Sequence, residues 1–225
     1  MGSSIRTIRD ELRHFERKYD RDNQSVELLA VSKRKPVSAI IEAHEAGQMA
    51  FGENYVDEAI EKMDELQYLP LEWHFIGAIQ SRKTALIARH FDWVHSIDRI
   101  KVARRLSDQR PAELPPLNIC LQVNLDKEQQ KAGVDVEQIS ELAAQVAELP
   151  RIKLSGLMVI PLPRTDFEQQ RQVFRLLREQ RDDLVQIFPE MTMLSMGMSS
   201  DLEAAIAEGS TLVRIGTAIF GARDS

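Results

Sequence analysis

The sequence has little that would tie it to an oxidising compartment, a membrane or a nucleic acid. Its single cysteine, Cys120, has no intrachain disulfide partner, which favours a reducing compartment and a buried thiol. No apolar run approaches the roughly 20 residues of a membrane span, and the N-terminus is charged rather than signal-like. A net charge of −6 argues against general nucleic-acid binding. These absences predict a cytoplasmic protein that binds neither membranes nor nucleic acids.

Short β-type runs alternate with longer amphipathic segments along the 225 residues. After an amphipathic helix over 3–19, eight apolar runs are predicted as strands, and seven of them precede a helix. The predicted strands are 26–32, 49–52, 73–77, 93–97, 117–123, 152–160, 191–196 and 212–215. The predicted helices are 37–46, 56–66, 84–90, a segment around 102–106 capped by Asp98, 139–149, 167–187 and 202–207. This order predicts an α/β fold, a single (β/α)8 TIM barrel with an extra N-terminal helix, and an open α/β sheet is the alternative.

Lys33 follows the first apolar run directly. A lysine at the end of a strand is either a solvated loop residue or an amine that forms a Schiff base, and the run alone does not decide. In a barrel, the C-terminal ends of all strands open on one rim. We therefore expect Lys33 to share this rim with Asn54, Gly77 and the loops after the last two strands.

The loops after strands seven and eight have the composition of a phosphate site, which barrels commonly build there. Gly197 and Gly216 allow backbone N–H groups to approach an anion closely. Hydroxyls are offered by Ser195, Ser199 and Thr217. The same residues also serve turns and caps, and Asp201 is a candidate N-cap of helix 202–207. A lysine and a phosphate cradle on one rim indicate a phosphorylated carbonyl compound that is bound through an imine.

Five segments resemble the pyridoxal phosphate homeostasis protein family, known as YggS in bacteria and PROSC in animals. These segments are 28–33, 51–55, 73–77, 194–199 and 214–221. They occur in the family's order, and the match covers nearly the whole chain. The resemblance implies one domain over residues 1–225, a barrel similar to the N-terminal domain of alanine racemase. It also implies pyridoxal 5'-phosphate (PLP) as the cofactor, held as a Schiff base on Lys33.

The resemblance places further residues around the cofactor. Arg214 would face the pyridine nitrogen, and because arginine keeps its proton, that nitrogen would stay unprotonated and the cofactor would be a weak electron sink. Asn54 contacts the ring oxygen or caps the second helix, and Met158 packs on the ring or belongs to the core. His74 is either a structural histidine or a proton-transfer group. The predicted cofactor-binding residues are Lys33, Asn54, Met158, Ser195, Ser199, Arg214, Gly216 and Thr217, with no catalytic residue and no metal ligand.

The expected function is that of a cofactor carrier or buffer in intracellular PLP (vitamin B6) homeostasis, without strong catalytic activity. A racemase of this fold takes its second acid/base group from a tyrosine of an additional β-domain, and no such domain is expected after residue 221. A monomer is expected, with apo forms of PLP enzymes as recipients of the cofactor. The alternatives are an amino-acid racemase of low activity and, more weakly, a class I aldolase that uses Lys33.

Overall fold

Eight parallel strands close into a barrel in the computed structural model, which describes residues 1–127 and 132–221. Each strand pairs with the next one along the chain, and β8 pairs with β1. The strands are β1 Glu27–Val31, β2 Ala50–Glu53, β3 Glu72–Phe75, β4 Trp93–Ile97, β5 Leu117–Gln122, β6 Ile152–Met158, β7 Met193–Ser195 and β8 Leu212–Ile215. The (β/α)8 barrel is confirmed, and the open sheet is excluded because β8 closes onto β1.

Helices follow the strands around the barrel, and an additional helix precedes it as predicted. They are α1 Gly2–Lys18, α2 Val37–Glu45, α3 Val56–Glu65, α4 Thr84–His90, α5 Ile100–Gln109, α6 Ile139–Ala147, α7 Phe167–Val185, α8 Leu202–Ala207 and α9 Thr217–Phe220. The α1 helix buries Ile5, Ile8 and Leu12 and packs against α2, α8 and α9. This is the apolar stripe expected of a helix that covers one side of a barrel.

The structure corrects two details of the predicted helices. The predicted cap of α5 by Asp98 is wrong, because α5 begins after Arg99 without a side-chain cap and Asp98 instead pairs with Arg99. Asp201 does occupy the N-cap position of α8, but its carboxylate accepts a hydrogen bond from the backbone N–H of Met198 at 2.6 Å. The short helix α9 and the 3-10 turns at Ser81–Lys83 and Val136–Gln138 were not predicted.

Two apolar clusters lie on opposite faces of the strands. The larger cluster fills the space between strands and helices and includes Leu28 and Ala30. A small cluster of Leu29, Ile76 and Leu212 lies in the barrel interior. Because successive strand residues point to opposite faces, this alternation defines which positions face inward. Branched apolar side chains usually fill such an interior, whereas much of this one is polar.

Two glycines allow backbone segments to approach each other closely. A Cβ atom at Gly156 would lie 2.1 Å from the carbonyl oxygen of Met193 on β7. A Cβ atom at Gly77 would lie 2.2 Å from the carbonyl oxygen of Asn54. Neither position accommodates a side chain without movement of the backbone, so Gly77 fixes the path of the chain at Asn54.

Cys120 is completely buried in β5, with its Sγ atom 3.6 Å from Sδ of Met193. Burial raises the pKa of this thiol well above its ordinary value. The expectation of a buried thiol is confirmed. Across residues 1–127 and 132–221, no helix combines the length and the apolar character needed to cross a membrane.

Candidate functional site

Lys33 lies in a turn just beyond β1, half-buried at the C-terminal rim of the barrel. Strand β1 pairs with β8 so that Ala30 lies opposite Ile215. Gly216 follows β8, and a Cβ atom there would lie 3.3 Å from the carbonyl oxygen of Val31. Lys33 and the turn at Gly216 therefore sit on neighbouring strands of the same rim.

A buried group of charged residues holds the backbone on both sides of Lys33. Nζ of Lys62 donates hydrogen bonds to the carbonyl of Ser32 and to Oε1 of Glu53, both at 2.8 Å, and to Oε1 of Glu58 at 2.6 Å. Oγ of Ser32 also donates to Oε1 of Glu53 at 2.7 Å. The backbone N–H of Arg34, which has a left-handed φ of 58°, donates to Glu58 at 2.5 Å. We refer to Ser32, Glu53, Glu58 and Lys62 as the Lys62 cluster.

The Lys62 cluster is costly to bury and was missed by the sequence analysis. Burial raises the pKa of Glu53, although the ammonium of Lys62 opposes this effect. Among the described residues, Oε2 of Glu53 is buried without a hydrogen-bond partner. The available signal was the spacing of Glu58 and Lys62, since residues four apart on a helix face each other.

Asn54 follows β2 and presents an unpaired polar atom. Its Oδ1 atom is buried and has no hydrogen-bond partner within the described part of the chain. The helix α3 begins after Tyr55 without a side-chain cap, so the alternative role of Asn54 as a helix cap is excluded. A buried polar atom without a partner costs about 1–3 kcal/mol. This amide is therefore suited to complete a hydrogen bond with a ligand.

The loop after β7 has a conformation that glycine makes possible. Gly197 has a φ of +101°, and a Cβ atom there would lie 2.6 Å from Cβ of Ala205 on α8. Asp201 holds the other end of the loop through the N–H of Met198, and burial raises the pKa of this carboxyl. Ser199 lies between these two anchors and is exposed. Its hydroxyl is thus exposed at the rim, and its contact with a phosphate stays a prediction.

The loop after β8 turns directly into the short helix α9. Gly216 is its N-cap, and Thr217 is its exposed first residue. The first N–H groups of a helix have no partner within it, and they favour an anion. Gly216 and Thr217 therefore combine backbone donors with a hydroxyl on the strand next to that of Lys33.

Arg214 and Ser195 are bound to each other inside the barrel. Nη1 of Arg214 donates to the carbonyl oxygen of Ser195 at 2.6 Å and to its Oγ atom at 2.8 Å. Nη2 donates to the carbonyl oxygen of Val159 at 2.7 Å. Burial lowers the pKa of Arg214 to about 10, so the guanidinium stays charged at neutral pH. The hydroxyl of Ser195 thus supports Arg214 in this structure, and its phosphate contact stays a prediction.

Below Arg214, a line of polar side chains crosses the barrel interior toward the opposite face. Oγ of Ser195 lies 2.8 Å from Nδ1 of His95, whose Nε2 lies 2.9 Å from Nδ1 of His74. Nε2 of His74 in turn lies 2.6 Å from Oε1 of Glu72. Both histidines are fully buried, whereas 46% of the Glu72 side chain is exposed. We refer to Glu72, His74, His95 and Ser195, ending at Arg214, as the interior chain.

The electrostatics of the interior chain follow from burial and hydrogen bonding. Burial lowers the pKa of His95 well below its ordinary value, and the nearby His74 and Arg214 add to the effect. The hydrogen bond from His74 lowers the pKa of Glu72. His74, which was singled out in the sequence, thus belongs to the interior chain, whereas His95 was not predicted. The signal for His95 was a polar residue inside the apolar strand β4.

Met158 ends β6 and is completely buried. Its neighbours Leu157 and Val159 both belong to the larger apolar cluster between strands and helices. Because side chains alternate along a strand, Met158 points to the barrel interior instead. It is thus available to contact a ring held above the strands, and its contact with a cofactor stays a prediction.

The rim therefore brings together a lysine, a turn that opens a short helix, a buried guanidinium and an amide whose oxygen has no partner in the described part of the chain. A model described as the alanine racemase N-terminal domain matches residues 4–224. A pyridoxal phosphate homeostasis protein of Escherichia coli (strain K12) is 52% identical over 227 residues, which cover 100% of this chain and 97% of that protein. The structure of PipY of Synechococcus elongatus PCC7942 without PLP has a TM-score of 0.88 and 39% identity, covering 98% of this chain and 100% of PipY. PipY with PLP bound has a TM-score of 0.82 and 40% identity, covering 93% of this chain and 100% of PipY. The chain belongs to the alanine racemase N-terminal domain family and, within it, to the pyridoxal phosphate homeostasis proteins.

Proposed function

We propose that this chain binds PLP as a Schiff base on Lys33 and acts in intracellular PLP homeostasis as a carrier or buffer without strong catalytic activity. The binding unit is a single barrel domain over residues 1–225, monomeric, with apo-PLP enzymes as recipients. The names of the relatives and the PLP-bound PipY structure support this proposal. A cytoplasmic location stays a prediction.

The observation that carries the proposal is the placement of Lys33 beside the turn after β8. The register of β1 and β8 and the tight approach of Gly216 to Val31 bring the backbone that leads to Lys33 next to the turn that begins α9, which supports a position of the amine near the backbone donors there. PLP carries its aldehyde and its phosphate on one small ring. The amine and the phosphate-binding groups of the protein must therefore lie no farther apart than the length of this ligand. The N–H groups at Thr217 and the hydroxyl of Ser199 would hold the phosphate.

The remaining residues fit the same ligand. Asn54 has an amide whose buried oxygen lacks a partner among the described residues. A polar substituent on the ring would provide that partner. The amide can present its oxygen to a donor or, after a flip, its NH2 group to an acceptor. Met158 points inward beneath the ring. Arg214 supplies the donor expected at the ring nitrogen. The Lys62 cluster would keep the amine of Lys33 aimed at the aldehyde.

The charged guanidinium of Arg214 also supports weak catalysis. PLP supplies an aldehyde for the amine of a lysine and, in enzymes, a ring that accepts electrons. A donor that keeps its proton leaves the ring nitrogen unprotonated, and this weakens the ring as an electron acceptor. Racemisation also requires a second acid/base group. Tyr19 donates to Glu203 on α8, and Tyr55 and Tyr68 are exposed.

Borohydride reduction tests the covalent part of the proposal. Reduction after addition of PLP should fix one cofactor to Lys33, identified by mass spectrometry of the digested protein. Lys33→Ala should lose the adduct, and the matched control Lys35→Ala, two residues along the same turn, should keep it. An adduct of equal yield on the Lys33→Ala variant would contradict the proposal.

Two further measurements separate a carrier from an enzyme. Deuterium exchange at the α-carbon of a panel of amino acids should proceed no faster with protein than with free PLP. Exchange that depends on Lys33 would overturn the non-catalytic role in favour of a racemase. Transfer to an apo-PLP enzyme should be faster than spontaneous release into solution, and equal rates would refute delivery by contact.

A further inference from the structure

The interior chain is an unusual use of a barrel interior. Burying polar side chains costs free energy unless each hydrogen bond is made. Here the two histidines are completely buried, yet both ring nitrogens of each lie within 2.9 Å of a partner. A polar line that crosses the interior and is satisfied at every step requires a reason beyond packing.

The two ends of the interior chain set the direction of all its hydrogen bonds. Arg214 only donates, so Oγ of Ser195 accepts from Nη1 and gives its own proton to Nδ1 of His95. His95 is then protonated at Nε2 and donates to Nδ1 of His74. His74 is likewise protonated at Nε2 and donates to the carboxylate of Glu72.

The reverse direction is unfavourable at both ends. It would require either a proton on the carboxyl of Glu72, whose pKa the hydrogen bond from His74 lowers, or a second proton on His74, which would place a charge on a completely buried ring. It would also leave the hydroxyl proton of Ser195 without an acceptor among the described residues. The interior chain therefore has one direction of hydrogen bonds in which every polar group has a partner.

We propose that His74 and His95 are positioning residues that hold Arg214 so that its remaining N–H groups face an unprotonated ring nitrogen of the ligand. Nη1 of Arg214 is occupied by Ser195, and Nη2 gives one hydrogen bond to Val159. These bonds fix the plane of the guanidinium. The inference rests on the proposed function, because the ring is that of PLP. It assigns to His74 and His95 the role of supporting Arg214 as a donor that selects a ring nitrogen able to accept a hydrogen bond.

The first test reads the tautomers of the ligand-free protein. Nitrogen chemical shifts of ¹⁵N-histidine, assigned with variants at each position, should show protonated Nε2 and unprotonated Nδ1 on both His74 and His95 at neutral pH. A protonated Nδ1 on His95 would show that the hydrogen bonds of the interior chain run in the reverse direction, and this result would overturn the proposal.

The second test compares two substitutions of His95 with a matched control. The probes are PLP and pyridoxine 5'-phosphate, which has the ring and the phosphate but no aldehyde. His95→Leu should weaken both about tenfold, because Ser195 and His74 lose their partner. His95→Asn, which restores an acceptor near the Nδ1 position, should stay within about threefold of the wild type. His90→Asn, at the end of α4, should change neither affinity.

A role in packing alone predicts the opposite order. Leucine would then bind the probes as well as asparagine or better, and this result would overturn the proposal. Should His95→Leu fail to fold, Glu72→Gln at the partly exposed end serves instead. It should populate a second tautomer of His74 and weaken pyridoxine phosphate binding, whereas Glu190→Gln at the same end of the barrel should not. Unchanged tautomers and affinity in Glu72→Gln would refute the inference.

The covalent step can fail independently of this inference. Lys33→Ala should lose the borohydride adduct and keep its affinity for pyridoxine phosphate. If the wild type forms no adduct while His95→Leu still weakens pyridoxine phosphate binding, the Schiff base is refuted and the positioning role stands. If neither phosphate binds the wild type, both proposals are overturned.

Discussion

Replacing Lys62 with methionine should destabilise the protein and disturb Lys33 together. The ammonium of Lys62 donates hydrogen bonds to Ser32, Glu53 and Glu58, and its side chain is only 7% exposed. Methionine has a similar shape but no donor. The substitution therefore leaves the completely buried carboxylate of Glu53 with Ser32 as its remaining donor.

The expected loss is about 3–5 kcal/mol of unfolding free energy at neutral pH, the usual cost of an unpaired buried charge. It should shrink at lower pH. Burial already raises the pKa of Glu53, and removing Lys62 raises it further, so the folded state binds a proton that the unfolded state releases. Stability is then greatest below the ordinary pKa of 4.5 and falls, by up to about 1.4 kcal/mol per pH unit, as pH rises toward the folded pKa.

Urea denaturation of four proteins measures this cost and its origin. The set is the wild type, Lys62→Met, Glu53→Gln and the double variant. Because the double variant has no unpaired carboxylate, it should be more stable than Lys62→Met alone by about 1–3 kcal/mol. The matched control is Lys83→Met, whose partner Asp57 is exposed, and it should cost at most about 0.5 kcal/mol.

The cofactor provides the second readout of the same variants. Lys62→Met releases the Ser32 carbonyl and also Glu58, the residue that holds the Arg34 backbone. The turn that contains Lys33 is then less fixed, so Lys62→Met should retain less PLP after borohydride reduction. Purely additive losses in the double variant would refute a buried unpaired charge. Full PLP retention by a destabilised Lys62→Met would show that the cluster stabilises the fold without positioning Lys33.

The remaining predictions concern single positions. Gly77→Ala should lower stability by at least about 2 kcal/mol in urea denaturation, because its Cβ would lie 2.2 Å from the Asn54 carbonyl. Arg214→Ala should change the absorption of bound PLP and speed its loss on dialysis, and Arg214→Lys should not restore either, since lysine lacks the planar fork. His95 stays neutral when folded while the unfolded state takes up a proton below pH 6.5, so wild-type unfolding free energy should fall by up to about 1.4 kcal/mol per pH unit below that value and less steeply in His95→Asn. Cys120 should react with a thiol reagent only after unfolding, because its thiol is completely buried; rapid reaction of the native protein would contradict this.

The strands were predictable from sequence because a parallel barrel buries both faces of each strand. Strands β4 and β8 begin and end where the apolar runs at 93–97 and 212–215 do. Other bounds shifted by a few residues, because the pairing partner decides where a strand ends. The sequence predicted a turn at Gly216 but not the helix α9 that follows it, because four residues are too few to give a periodic signal.

The site was less predictable, because its support comes from distant parts of the chain. Lys33, Asn54 and Gly216 end or follow strands and could be selected on that ground. The Lys62 cluster connects the end of β1 with α3 through the hydrogen bond from Lys62 to Ser32. Nothing in either segment alone indicates that the two meet. His95 is 100 residues away from the Ser195 hydroxyl that it contacts, so only the closed barrel reveals the pair.

Two different polar networks support the proposed ligand site, the Lys62 cluster at the rim and the interior chain inside the barrel. The Lys62 cluster is an ionic network that fixes the backbone on both sides of Lys33. The interior chain is directional, and it ends in the guanidinium of Arg214 without adding a buried unpaired charge. The two systems share no residue among their described contacts. Loss of one should therefore leave the other intact, so that a Lys62 variant keeps the affinity for pyridoxine phosphate and a His95 variant keeps the reactivity of Lys33.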